Sequence, residues 1–453
     1  MDEHTNAISV AELRARVAEG MPTTVADLES LVRIPSCAFP GFPLAEVLRG
    51  AERTAEIFRD AGYGTVELLP LPEGPPAVYA EAAGPADSPT VLLYAHYDIQ
   101  PPGDLDAWDS PPFEPEVRDG RLYGRGAADD KSGVAIHAAV MRAFAGRPPC
   151  TVRVIVEGEE ECGGAFEAYP RANPALFDAD AIVVADVGNL ALGEPTLTTA
   201  LRGMVMATVH VRTLAGPVHS GMFGGPAPDA LMALITLLAT LRDEAGDAAV
   251  AGVDGSGWSG PEYDEGTFRD VAGVLPHQPL VGSGSVAARL FGMPAVSVVG
   301  IDAPSISGAI NAVVPAASAR VSLRIPPGVD PVAAEAALVD HLESHAPWGI
   351  DVTVDSTQAS AGFEAATDGP AYRAMREAMA ESYGKAAVMA GAGGSIPLVD
   401  VLSEVVPRAE LLLVGAQDPL ARIHAPNESV DLAELQSAVL AETLFIAGLA
   451  GER

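Results

Sequence analysis

TVLLYAH, residues 90–96, is a run of strand-forming apolar residues that stops on a histidine. Three further segments repeat the design. TVRVIVEGEE at 151–160 runs into glutamates, AIVVAD at 181–186 stops on an aspartate, and ELLLVGA at 410–416 precedes a loop holding His424. Each apolar run is short and lacks polar alternation, the pattern of a strand buried on both faces. Helix-length stretches such as Gly133–Phe144 and Glu434–Ala447 lie between or after these strands, and 8–33 and 44–62 show helical spacing. The alternation predicts an α/β domain whose mostly parallel sheet is flanked by helices.

The middle of the chain follows another rule. VMATVHVR at 205–212 alternates apolar with polar residues, as a half-exposed antiparallel strand does. A helix from Pro228 to Arg242 follows, then strands Ala295–Gly300 and Ala317–Ile325, a helix at 331–345 and a strand at 349–355. This strand-helix-strand-strand-helix-strand order predicts a ferredoxin-like α+β unit. The expected organisation is one α/β domain, 1–199 and 363–453, interrupted by an inserted domain at 200–362.

Of 453 residues, 48 % are hydrophobic and 19 % charged, which excludes a disordered chain. Asp and Glu outnumber Lys and Arg by 61 to 27, a net charge of −34. A phosphate backbone or an anionic bilayer repels such a surface, so no nucleic acid and no membrane is expected as a partner. Three cysteines, Cys37, Cys150 and Cys162, argue against a disulfide framework and for a reducing compartment. The opening MDEHTNAIS has no signal-peptide character, and Ala230–Leu241, read as the longest apolar run, is too short to span a bilayer. A cytoplasmic location is expected.

Ligand-type side chains recur where these strands end: His96, Glu160 with Glu161, Asp186, and His424 beyond its loop. Asp129 and Asp130 in GRGAADDKSG stand directly ahead of a helix. Singly, each has an ordinary reading as a helix cap or turn residue. Together they arrive from four strands at the carboxyl edge, where open α/β sheets build their sites. Two imidazoles and three carboxylates suit a pair of divalent cations, Zn²⁺ or else Mn²⁺ or Co²⁺. One further carboxylate must stay free to take a proton, and the Glu160–Glu161 pair supplies both roles. Asp98 lies two residues beyond His96 on the same side of the chain, placed to accept from its ring.

The segments HYDIQPPGDLDAWDSPPFEPEVRDGRLYGRGAADDKSG (96–133), EGEEECGG (157–164), VVADVGN (183–189), GPVHSGMFGG (216–225) and ARIHAPNES (421–429) resemble metallopeptidase family M20. The likeness is to its carnosinase-like and cysteinylglycine-type dipeptidases, and it runs from about Leu31 to the end. It implies two divalent cations per subunit, one on His96, Asp129 and Asp186, the other on Asp129, Glu161 and His424. It implies Glu160 as general base, Asp98 as the residue that orients His96, and a cis peptide at Asp129–Asp130. It also implies that the inserted domain is a lid and dimerisation domain in a homodimer. His219 would then reach the partner's active site to stabilise the oxyanion, and Asn311, Arg324 and Ser395 would bind a small peptide substrate. Hydrolysis of dipeptides is the activity so implied. The alternatives are an N-acyl-amino-acid deacylase, an enzyme trimming one dipeptide-like intermediate, or a non-catalytic binding protein on the same fold.

There are departures and decoys. Gly164 stands where the family often has Ser, and Ala390-Gly391-Ala392 precede GGSIP where it often has a charge. HLESH (341–345) lacks the zincin glutamate and reads as an exposed helix face. GSGWSG (255–260) opens no helix, so it is loop glycine. His137 reads as a packed helix residue, Cys162 as a small packed side chain, and His210 has no evident partner.

Overall fold

The computed structural model describes residues 8–255 and 257–451, so the extreme N-terminus and Ser256 of GSGWSG lie outside the described residues. The chain divides into two compact units: 1–199 with 365–390 and 401–453, and 200–364 with 391–400. The second unit thus takes in 391–400, which carries GGSIP, in addition to the inserted stretch expected from the sequence.

In the first unit the central sheet runs in the order Thr65–Leu69, Ala77–Ala82, Thr151–Glu157, Thr90–His96, Ala181–Val184, Glu410–Leu413, then the strand beginning at Thr196. The four middle strands are parallel to one another. The flanks are antiparallel: Ala77–Ala82 against both its neighbours, and Leu413 against Thr198. The sheet is therefore mixed, parallel only where crossover helices feed it, and the flanking strands need no crossover. The four parallel strands are the four whose ends carry ligand-type residues. Their apolar runs are buried nearly throughout, as strands covered on both faces must be.

Helices Val10–Val32, Lys131–Ala143, Leu432–Gly451 and Pro370–Tyr383 pack in sequence across the sheet. Lys131–Ala143 is buried at almost every position because it lies between the His96 strand and its neighbouring helices. Leu432–Gly451 is long and apolar enough to cross a membrane, which the sequence reading passed over. It is a core helix: Leu435, Val439, Phe445 and Ile446 are buried in the main cluster, and its buried Glu434 and Glu442 find partners in Asn189 and His137.

The second unit has a four-stranded antiparallel sheet ordered Ala295–Asp302, Ala316–Ile325, Gly203–Arg212, Val352–Ser360, with helices Ala230–Ala239 and Pro331–Ser344. That is the strand-helix-strand-strand-helix-strand arrangement read from the sequence. Val205, Ala207, Val209 and Val211 alternate inward against Leu234, Leu237, Leu338 and Leu342. His341 is buried, not exposed: it stacks on His345 at 4.1 Å and meets Thr240 Oγ1 at 2.9 Å. His210 has partners after all, Ser318 Oγ at 2.8 Å and Asp355 Oδ2 at 3.2 Å.

Candidate active site

His96 is the last residue of its strand and is fully buried. Its Nδ1 lies 3.3 Å from Asp98 Oδ1 and 3.2 Å from the Asp98 carbonyl oxygen. Both are acceptors, so the proton sits on Nδ1 and Nε2 is turned outward. Nε2 lies 3.2 Å from Asp129 Oδ1 and 3.8 Å from Asp186 Oδ1. Asp186 stands two residues beyond the neighbouring parallel strand. Asp98 also accepts from the backbone N–H groups of Glu160 at 3.2 Å and Glu161 at 3.1 Å. One buried carboxylate thus aims the imidazole and pins the glutamate pair.

His424 comes from the loop after Glu410–Leu413, at φ 62°. Its Nε2 lies 2.9 Å from Asp129 Oδ2 and 3.3 Å from Glu161 Oε2. The Asp129 carboxylate therefore stands between the two imidazoles with one oxygen toward each. The Asp129–Asp130 peptide is cis. Asp130 has a different position: it caps helix Lys131–Ala143, Oδ1 accepting from Gly133 N at 3.2 Å and Oδ2 from His96 N at 3.3 Å. Two groups of ligand atoms result, His96 with Asp130 and Asp186, and Asp129 with Glu161 and His424. Proximity puts Asp130 in the first group. Its two oxygens are already used, whereas those of Asp129 face the imidazoles.

The donor set fits divalent cations on two grounds. Among the described residues Glu161 Oε1 is buried without a hydrogen-bond partner, and a buried carboxylate oxygen left so is costly. The electrostatics also demand positive charge. Burial, reinforced by the Asp129 charge, pushes Asp186 up to about 7. Burial, and then the Asp186 charge, raises Glu160 well above the carboxylate range. Burial works against a charged His96, yet hydrogen bonds to Asp129, Asp186 and Asp98 raise its pKa. Asp129 and then Glu161 hold His424 at about 10. Burial raises Asp129, but His424 and His96 outweigh it and hold that carboxyl far below its usual range. Divalent cations with neutral imidazoles satisfy the same demand.

Three nearby side chains were not singled out from the sequence. Gln100 Nε2 donates to Glu161 Oε2 at 2.8 Å, Gln417 Nε2 donates to Asp186 Oδ1 at 3.3 Å, and Glu428 binds the Asp129 backbone. Gln100 and Glu428 lie in the quoted segments, four residues after His96 and His424, and Gln417 lies outside them; nothing in their spacing assigned any of the three a role. Cys162 is half-buried, its Sγ 3.9 Å from the Glu159 carbonyl oxygen.

The remaining expected residues belong to the second unit. His219 is exposed on a two-residue strand paired with Ala312–Val313, and Ser220 N donates to the Asn311 carbonyl at 3.0 Å, so His219 and Asn311 are neighbours. Arg324 Nη1 donates to Ser395 Oγ at 2.8 Å. Arg202, also unmarked by the sequence, donates from Nε to the Gly393 carbonyl at 3.1 Å in the same loop. Burial, with Arg324 nearby, lowers the Arg202 pKa to about 10. Among the described residues neither arginine is paired with a carboxylate.

Comparison with known proteins places these observations. The description "Peptidase family M20/M25/M40" matches residues 92–447. The chain is 40 % identical over 368 residues to a cysteinylglycine-S-conjugate dipeptidase of Corynebacterium striatum, covering 80 % of this chain and 81 % of that one. It is 27 % identical over 400 residues to the human Beta-Ala-His dipeptidase, covering 82 % and 78 %. Its fold is that of the di-peptidase Dug1p from Saccharomyces cerevisiae, at TM-score 0.88, 20 % identity, and coverage of 98 % and 99 %. Human carnosine dipeptidase 1 is similar at TM-score 0.85 and 24 % identity, covering 98 % and 99 %. The chain belongs to peptidase family M20/M25/M40 and is an enzyme of the M20 metallo-dipeptidase type.

Proposed function

We propose that this M20 peptidase hydrolyses the peptide bond of dipeptides with two divalent cations, His96, Asp129 and Asp186 holding one and Asp129, Glu161 and His424 the other. The observation that carries the reading is the Asp129 carboxylate, with one oxygen 3.2 Å from His96 Nε2 and the other 2.9 Å from His424 Nε2. Cations bound there supply Lewis acidity, which activates water and polarises the scissile carbonyl. Zn²⁺ suits these nitrogen and oxygen donors, and Mn²⁺ or Co²⁺ suits them too.

The chain's own residues do the rest. Glu160 takes the proton of the attacking water and returns it to the leaving amine; burial, and then the Asp186 charge, raises its pKa above the ordinary carboxylate value, which makes it a stronger base than a solvated glutamate. Asp98 keeps the His96 tautomer and holds the Glu160–Glu161 backbone in place. His219 stabilises the oxyanion, reaching the site from a second copy of the chain, so the enzyme works as a homodimer through its second unit. Asn311, Arg324 and Ser395 hold the substrate carboxylate and backbone; the acid-free pair Arg202 and Arg324 supports an anionic end group there. The first unit is the catalytic domain, and the second, built on the insertion expected at 200–362, is the lid and dimerisation domain, in a cytoplasmic enzyme.

The test is turnover of a mixed pool by metal-reconstituted enzyme, read by mass spectrometry. The pool holds free-amine dipeptides, including β-alanyl and cysteinyl-glycine ones, beside N-acetyl amino acids. Loss of the dipeptides alone is the expected result. Loss of the N-acyl compounds alone would make the enzyme a deacylase instead.

A further inference from the structure

We propose that Glu428 is a positioning residue for the metal bridge: it fixes the loop that carries Asp129 and ties it to the loop that carries His424. The inference rests on the two-cation reading above. Glu428 is fully buried and stands four residues after His424. Its carboxylate gathers four donors. Oε2 accepts from Arg125 Nη1 at 2.6 Å and from Gly126 N at 3.0 Å. Oε1 accepts from Ala128 N at 3.0 Å and from Asp129 N at 3.1 Å. Four donors on two oxygens require an acceptor on every side, which an ionised carboxylate offers and a neutral acid or amide does not. The Arg125 guanidinium, itself buried, supplies the countercharge.

Three backbone N–H groups converging on one anion make a nest of the kind that usually cradles a bound anion. Here the chain fills it with its own side chain, drawn from 299 residues away in sequence. The consequence lies one bond further on. With the Asp129 N–H held, the direction in which the Asp129 side chain leaves the loop is set. The other end of the link is anchored as well. The Glu428 carbonyl accepts from Gly124 N at 2.9 Å, and Asn427 Oδ1 accepts from Asp109 N at 2.8 Å. Three residues ahead of these anchors, His424 meets Asp129 at 2.9 Å. Glu428 touches no reacting atom; it acts through the Asp129 backbone. Such supports must hold a site to about 0.5 Å, and their loss typically costs about 10- to 100-fold in metal affinity or activity.

The test uses full-length enzyme loaded with Mn²⁺, read by calorimetry and by electron paramagnetic resonance, with Glu428→Gln as the near-isosteric variant. Its amide turns an NH₂ toward two donors and cannot close the nest. Wild type is expected to take up two ions per chain with the signal of an exchange-coupled pair. Glu428→Gln is expected to bind the second ion about 10- to 100-fold more weakly and, at saturating Mn²⁺, to lose the coupled signal. Arg125→Lys keeps a charge and leaves the three backbone contacts untouched, so it is expected to retain coupling. Should Glu428→Gln not fold, Glu428→Asp keeps the charge but shortens the reach, and carries the same expectation. A coupled wild type with equally coupled Glu428 variants overturns this inference alone. A wild type that forms no coupled pair overturns the two-cation reading and this inference with it.

Discussion

Asp98→Asn removes one acceptor and no volume, and the structure says where the loss falls. Asp98 Oδ1 serves His96 Nδ1 and Glu160 N, and Oδ2 serves Glu161 N. An asparagine keeps one oxygen and turns an NH₂ toward the other set. If the NH₂ faces Glu161, a backbone N–H of the glutamate pair loses its acceptor. If it faces Glu160 and His96, two donors lose theirs, so the first orientation is preferred. His96 keeps its tautomer in either case, because the Asp98 carbonyl at 3.2 Å still accepts from Nδ1. The net loss is one hydrogen bond to a charged acceptor, about 1.5–3 kcal/mol. At about 1.4 kcal/mol per decade that is about a 10- to 100-fold fall in kcat/KM. The assay is kcat/KM on a dipeptide at saturating metal, with metal affinity by calorimetry and folding by circular dichroism. A folded Asp98→Asn enzyme within twofold of wild type would refute the reasoning.

Glu160→Gln should lower kcat by about 10²- to 10⁴-fold, the worth of a general base, while metal content by elemental analysis stays at the wild-type value; loss of metal would mark Glu160 as a ligand instead. Gly133→Ala would place a Cβ 2.7 Å from both Asp130 carboxylate oxygens and 3.0 Å from Ala95 Cβ. Asp130 cannot retreat, being bound to His96 N and Gly133 N, so overpacking of about 1–3 kcal/mol outweighs a helix-propensity gain of up to about 1 kcal/mol. Chemical denaturation should show the net loss. In the second unit, burial, then the neighbouring His345, holds His341 below its ordinary value near 6.5. As pH falls the unfolded chain takes that proton first, so stability present above about 6.5 is lost toward the lower folded value. Melting temperatures between pH 7 and 5 should fall in wild type and fall less in His341→Gln.

Much of this was legible because the signals are local. Four runs of buried strand residues ending in His, Glu, Asp and a His-bearing loop announce the parallel core and its active edge. The residues that complete the site were hidden because their effect is made by folding. Nothing near Glu428 says that its carboxylate will meet the amides of 126–129, and Gln100 and Gln417 are ordinary loop residues until the strands bring them to Glu161 and Asp186. Residues 391–400 sit in sequence within the α/β stretch, yet Gly391 packs under Phe291 and Gly393 under Arg202 in the second unit. HLESH read as exposed from its polarity, but the i,i+4 spacing stacks both rings and Thr240 supplies the hydrogen bond that lets His341 go inside. The apolarity of Leu432–Gly451 is interrupted by Glu434 and Glu442, whose partners Asn189 and His137 lie far off in sequence.

The central claim is that one carboxylate, that of Asp129, joins two cations. Anomalous diffraction from crystals of the metal-loaded enzyme, collected on either side of the metal edge, tests it most directly. The expected result is two peaks about 3.5–4 Å apart, one beside His96 and Asp186, the other beside Glu161 and His424, with an Asp129 oxygen on each. A single peak, or two peaks with Asp129 bound to only one of them, would contradict it.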